Sequence, residues 1–349
     1  MTPQVERAIR PGRRHESAQV VVITGASAGV GRATARAFAR RGARVGVIAR
    51  DADALAATCG EIEALGGEAA LCVADVADAR AVETAAALLE EQLGPIDVWV
   101  NNAMATVVSP IAELAPEEVR RVTEVTYLGA VHGTLAALVR MRARNRGTIV
   151  QVGSALAYRA IPLQAPYCGA KFAVRGFTDA LRTELLHDRS RVRVTMVQMP
   201  ALNTPHFDWC RTRMPRQPQP VPPVFQPEVA ARAIVWAAHH APRELLVGAP
   251  TVAAVWLDKF FPGVADRYLA RTGYAAQQSA TPTAPDRRDN LFVPVRADPG
   301  AHGRFDAVAN PASLAAWLAM HPPQAAVAFA AGVTLALALR RATGRGLRA

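Results

Sequence analysis

A chain of 349 residues, 51% of them hydrophobic and rich in Ala, Val and Leu, has ample material for a buried core, which argues against disorder and favours one large α/β domain with an appendage. Its net charge of +11 comes mainly from arginines scattered along the sequence, with no basic cluster interleaved with aromatics, so no nucleic-acid partner is expected. Cys59, Cys72, Cys168 and Cys210 form no C-x-x-C pair and have no histidine at ligand spacing, so neither a disulfide framework nor a metal site is expected.

Residues 1–18 read as a basic, polar tail with no apolar run, unlike a secretory signal, and a cytoplasmic protein is expected. Residues 19–250 alternate short β-branched runs with longer alanine-rich stretches, the pattern of βαβ units. The runs predict strands at Val20–Ile23, Val45–Ala49, Ala69–Val73, Ile96–Val100, Thr148–Val152, Val192–Val197 and Glu244–Val247. Gly42, Gly66, Gly67, Gly94 and Gly147 fall where helices must end or turn back. The predicted fold is therefore α/β: a Rossmann-type, doubly wound, seven-stranded parallel sheet with helices on both faces, plus a C-terminal extension over residues 251–349.

The turn Thr24-Gly25-Ala26-Ser27-Ala28-Gly29-Val30-Gly31 lies between the first strand and a helix opening at Arg32. Glycines in that place let the backbone approach a pyrophosphate, whose charge meets free N–H groups at the helix N-terminus. Where NAD(H) recognition would call for a carboxylate at the end of the second strand, the sequence reads Ile48-Ala49-Arg50. Arg50 offers a planar fork of donors suited to a 2′-phosphate, so NADP(H) is the expected cofactor, with Asp51 the residue that would instead favour NAD(H).

Tyr167 and Lys171 stand four apart near the start of a helix predicted over Pro166–His187, which places them on one face. A nearby ammonium stabilises a phenolate, so Tyr167 is expected to act as the acid/base group, its pKa lowered by Lys171. The choice of lysine is informative, because Lys171 and Lys259 are the only lysines in an arginine-rich chain. Ser154 ends the fifth strand at the carboxyl edge of the sheet, where its hydroxyl can hold a substrate oxygen.

Together these residues resemble the short-chain dehydrogenase/reductase family over roughly Val20–Gly248. The resemblance matches Thr24, Gly25, Ser27, Gly29, Val30 and Gly31 to the cofactor turn, and Ser154, Tyr167 and Lys171 to the catalytic triad. It implies that Asp75 and Val76 lie at the adenine edge, that Asn101 and Ala103 lie beneath the cofactor near the adenosine, and that Pro200, Asn203 and Thr204 meet the nicotinamide carboxamide. Three positions depart from the pattern: Met104 and Ala201 replace glycines, and Thr126 stands where the family has a catalytic asparagine. The resemblance further implies a homo-oligomer and a carbonyl or alcohol as small-molecule substrate.

Phe207, Trp209, Met214 and Phe225 in the 202–227 loop point to an apolar substrate. Beyond residue 251 the βαβ rhythm stops, and Gln277–Gly303 reads as an irregular or mobile connector. The apolar run Ala325–Leu339, followed by Arg340 and Arg341, spans roughly 22 Å as a helix, short of a bilayer, and is expected either to dock on protein or to contact a membrane. The sequence thus predicts an NADP(H)-dependent oxidoreductase; the alternative is a non-catalytic NADP(H)-binding module.

Overall fold

The computed structural model describes residues 18–296 and 298–322; most of the basic tail and the whole of the apolar run from Ala325 lie outside these described residues. Seven parallel strands form the central sheet: β1 (Val20–Thr24), β2 (Arg44–Ala49), β3 (Glu68–Val73), β4 (Val98–Asn101), β5 (Gly147–Ser154), β6 (Val192–Met199) and β7 (Glu244–Leu246). Their order is β3-β2-β1-β4-β5-β6-β7, so the chain builds outward from β1 in one direction and then returns to β4 on its other side. That reversal leaves a crevice beyond the carboxyl ends of β1 and β4, the place where ligands bind in open α/β sheets.

The sheet is buried on both faces. Helices α1 (Gly29–Ala39), α2 (Ala52–Ala64) and α6 (Pro227–His240) cover one face and bury Phe38, Leu55, Ile62 and Ile234 against Val21, Val45 and Val197. On the other, α3 (Ala79–Leu93), α4 (Pro116–Ala143) and α5 (Ala165–His187) bury Leu89, Ala137 and Leu181 against Val20, Trp99 and Val194. Such double coverage explains why the strands read as nearly continuous apolar runs instead of alternating ones. Strand bounds match the sequence reading to within two residues: β4 begins at Val98 instead of Ile96, and β5 and β6 each run two residues further, to Ser154 and Met199.

Two features were not visible in the sequence. Helix α4 carries a π-helical turn at Glu124–Leu128, in which Val125 and Thr126 are buried. Among the described residues α4 is also the one helix long and apolar enough to cross a membrane, but half of that window is buried in the core against the sheet. The extension beyond residue 250 folds back on the sheet's carboxyl edge: α7 (Ala249–Phe260) and α8 (Pro262–Ala276) form a helical pair there. Residues 287–296 and 298–306 then run as an irregular strap over the β1–α1 turn, and α9 (Leu314–Met320) packs on α6.

Candidate active site

A cavity of about 770 Å³ opens along the carboxyl edge of the sheet, from the β1–α1 turn at one end to Ser154, Tyr167 and Lys171 at the other. The turn is built for close approach. Gly25 has φ +66° and its amide donates to Ile48 O (2.8 Å), while a Cβ at Gly31 would stand 2.2 Å from Gly25 O. Thr24 fixes the turn from below, its hydroxyl accepting from the amides of Asn102 (3.0 Å) and Ala103 (3.2 Å). Ala28 gives α1 no side-chain cap, which leaves first-turn N–H groups available for an anion at the cavity wall lined by Ser27, Gly29 and Val30. One of them, Gly29 N–H, donates to Gly300 O of the strap (3.2 Å).

At the end of β2, Arg50 lines the cavity, yet its guanidinium donates to the carbonyls of Asn290 (2.5 Å), Leu291 (3.3 Å) and Phe292 (3.1 Å). Ala49 brings no carboxylate to this wall. Asp51 also lines it, capping α2 through Oδ1 (3.1 Å to Ala54 N) while its buried Oδ2 has no partner among the described residues.

At the opposite end, Ser154 closes β5 and caps the short turn Ala155–Ala157 by accepting from Leu156 N (3.1 Å). That bond uses a lone pair and leaves the hydroxyl hydrogen to be donated, toward Tyr167 or a substrate oxygen. Pro166 in the first turn of α5 sets the helix so that Tyr167 and Lys171 face the cavity together. The Lys171 ammonium donates to Val152 O (2.7 Å) and sits 5.6 Å from the Tyr167 ring centroid. Burial lowers Lys171 to about 8. Burial also drives the Tyr167 phenol upward, with the hydrogen bond to Ser154 pulling the other way. The net direction for Tyr167 is therefore up and not down as expected, because desolvation of the buried phenol outweighs its polar neighbours.

Of the other sequence-expected site residues, Val76, Ala103, Pro200 and Thr204 line the cavity. Asp75, Asn101, Thr126 and Asn203 do not line it, and each is engaged elsewhere. Asp75 pairs with Arg121 (2.5 Å). Asn101 accepts from Trp99 Nε1 (2.8 Å) and donates to Thr134 (3.0 Å) and Gln151 (3.1 Å) in a buried network, while its neighbour Asn102 lines the cavity. Thr126, in the π turn, exchanges hydrogen bonds with both backbone groups of Ala105 (3.0 and 3.1 Å). Asn203 ties down the strap through Phe305 N (3.0 Å) and Asp306 (2.8 Å). Phe207 and Trp209 of the expected apolar loop line the cavity, whereas Met214 and Phe225 are buried in packing.

Sequence reasoning missed the walls supplied from beyond residue 250. Leu257, Tyr268, Leu269 and Thr272 of the α7–α8 pair line the cavity, and Gln277 locks that pair to the loop before α5 by donating to Pro162 O (2.8 Å) and accepting from Gln164 (2.7 Å). Only the long-range pairing of polar side chains carried that information, and a single sequence does not display it.

A family model described as short chain dehydrogenase matches residues 19–214, more than half of the chain. The chain belongs to the short chain dehydrogenase family. Among relatives, an uncharacterized oxidoreductase YxnA of Bacillus subtilis is 32% identical over 276 residues, 78% of each chain. A 3-dehydrosphinganine reductase of Danio rerio is 31% identical over 223 residues, 62% of this chain and 67% of its own. The solved alcohol dehydrogenase of Thermococcus sibiricus, complexed with 5-hydroxy-NADP, is 28% identical with a TM-score of 0.57, covering 66% of this chain and 96% of that one. A metagenomic short-chain oxidoreductase in complex with NADP is 29% identical with a TM-score of 0.55 over the same shares. In this short chain dehydrogenase the α7–α8 walls and the strap lie beyond the residues that the family model matches, so the far side of the cavity is built from sequence outside that match.

Proposed function

We propose that the protein is an NADP(H)-dependent oxidoreductase that interconverts a carbonyl and an alcohol on an apolar substrate, with Tyr167 as the proton donor or acceptor. The observation that carries this reading is the convergence of Ser154, Tyr167 and Lys171 on one end of a cavity whose other end is the uncapped, glycine-lined N-terminus of α1. That cradle fits a dinucleotide: Gly25, Gly29 and Gly31 let the turn pack tightly against Ala103, Thr204 and its own backbone beside first-turn N–H groups that can meet a pyrophosphate, and Ala49 ends β2 without a carboxylate. When bound, NADP(H) supplies the hydride or accepts it.

The rest is done by the chain. Ser154 donates its hydroxyl hydrogen to the substrate oxygen. Tyr167, kept protonated by burial, gives its proton to that oxygen as the carbonyl is reduced. Lys171, mostly charged at neutral pH, stabilises the negative charge left on the phenol. Apolar walls from Phe207, Trp209, Leu257 and Leu269 select an apolar substrate and exclude water around the reacting oxygen.

Titration with NADPH and NADH, followed by nucleotide fluorescence, tests the cofactor. Tighter binding of NADPH is expected. The unpartnered Oδ2 of Asp51 favours NADH as a second reading, and tighter NADH binding would establish it. Tyr167→Phe tests the chemistry: turnover of carbonyl substrates should fall by roughly 10²–10⁴-fold with NADPH affinity unchanged. Retained turnover overturns the role of Tyr167.

A further inference from the structure

The α7–α8 pair presents an apolar face to solvent at the mouth of the cavity. Trp256, Phe260, Phe261, Val264 and Tyr268 are each half exposed or more. They form a continuous platform: Trp256 stacks on Phe260 at 5.6 Å, and Phe260 meets Phe261 at 6.5 Å. An apolar area of this size on a soluble domain marks an interaction surface.

Charge on the same pair identifies the partner. Its two acidic residues, Asp258 and Asp266, are both bound by Arg159 (2.8 and 2.5 Å), which offsets one of the two charges and leaves the exposed Asp266 paired rather than free. Lys259, Arg267 and Arg271 remain, with no acidic partner among the described residues. The Lys259 ammonium lies 5.3 Å from the Trp256 ring centroid, beside the platform. Arg267 and Arg271, one turn apart, flank a shallow groove lined also by Val264 and Tyr268. Aromatic side chains at the level of lipid headgroups, ringed by cations, suit an anionic bilayer surface.

We infer that the α7–α8 face docks on an anionic lipid bilayer, with Trp256, Phe260 and Phe261 entering the headgroup boundary and Arg267 and Arg271 meeting acidic headgroups. The cavity opens onto that face, because Leu257 and Tyr268 are exposed on the platform and also line the cavity wall. An apolar molecule held in the bilayer therefore meets the mouth of the cavity without crossing water. The docking surface itself does not depend on the chemistry proposed above.

Flotation of the full-length protein with vesicles tests it without measuring turnover. The protein should float with vesicles containing phosphatidylglycerol and stay behind with phosphatidylcholine alone. Phe260→Glu combined with Phe261→Glu should lower the bound fraction by roughly ten-fold or more, and so should Arg267→Ser combined with Arg271→Ser, with a flatter salt dependence. Fluorescence quenching by brominated lipids should be lost in Trp256→Phe. Two outcomes overturn the inference: both double variants floating like the wild type, which would move binding to another segment such as 325–339, or no binding together with a dimer that Phe260→Glu/Phe261→Glu splits, which would assign the face to a second copy of the chain.

Discussion

Burial acts on Lys171 and Tyr167 in opposite electrical senses and favours the uncharged form of each, lowering the ammonium to about 8 and raising the phenol. The sign for stability follows from proton counting. A lysine whose folded pKa lies below its ordinary value is protonated in both states below about pH 8, where the folded protein carries the full cost of the buried charge. Between about 8 and the ordinary 10.5 the unfolded chain binds more protons, so stability rises with pH. Lys171→Met should remove this rising limb from a denaturant-unfolding series across pH 7–10.5. Because the variant also leaves Val152 O without its donor, at a cost of about 1–3 kcal/mol, the slope against pH is the informative quantity and not the midpoint at one pH. Identical slopes in the two proteins would show that Lys171 is not the group whose charge is being buried.

The 287–306 strap has almost no regular structure, so its placement rests on side chains of the sheet domain. Arg50 donates to three of its carbonyls, Arg121 Nε donates to Leu291 O (3.0 Å), Arg32 pairs with Asp298, and His302 bridges Glu228 (3.0 Å) and Asp306 (2.8 Å). Arg50 therefore holds the strap over the region where the sequence reading assigned it to a phosphate. Arg50→Ala should release residues 290–292, costing about 1–3 kcal/mol locally, and amide exchange there should accelerate as NADPH affinity falls. Weaker NADPH binding with unchanged exchange would mean that Arg50 contacts only the nucleotide.

The same arginine shows where sequence reading stops. The strands, the β1–α1 turn, and the Ser154, Tyr167 and Lys171 set were legible because each is a local pattern: β-branched runs, glycine spacing, a four-residue interval on one helix face. Asn101 and Asn102 were not distinguishable, since neighbours at a strand end point to opposite sides and only the observed pairing of Asn101 with Trp99, Thr134 and Gln151 shows which side is the core. Thr126 lies in a π turn, and the sequence carries no local pattern that marks such a turn. The contacts of Gln164 with Gln277, and of Asn203 with Asp306, join residues about a hundred or more positions apart, and nothing in their local sequence announces a partner.

These long-range ties make the sheet, the α7–α8 walls and the strap one cavity, so a ligand in it should stabilise all three together. If the cavity is the dinucleotide site, NADPH at 100 times its dissociation constant adds about 2.7 kcal/mol to unfolding and raises Tm by roughly 4 °C. Tyr167→Phe should show the same rise, because binding and proton transfer are separate roles of the site. Amide exchange should slow together in the first turn of α1, which lines the cavity at Gly29 and Val30, and in the strap, whose Pro294, Val295 and Pro299 line it from above. A strap that exchanges at the same rate with and without NADPH, while α1 is protected, would show that the strap lies outside the binding unit and that its carbonyls only occupy Arg50 when no nucleotide is bound.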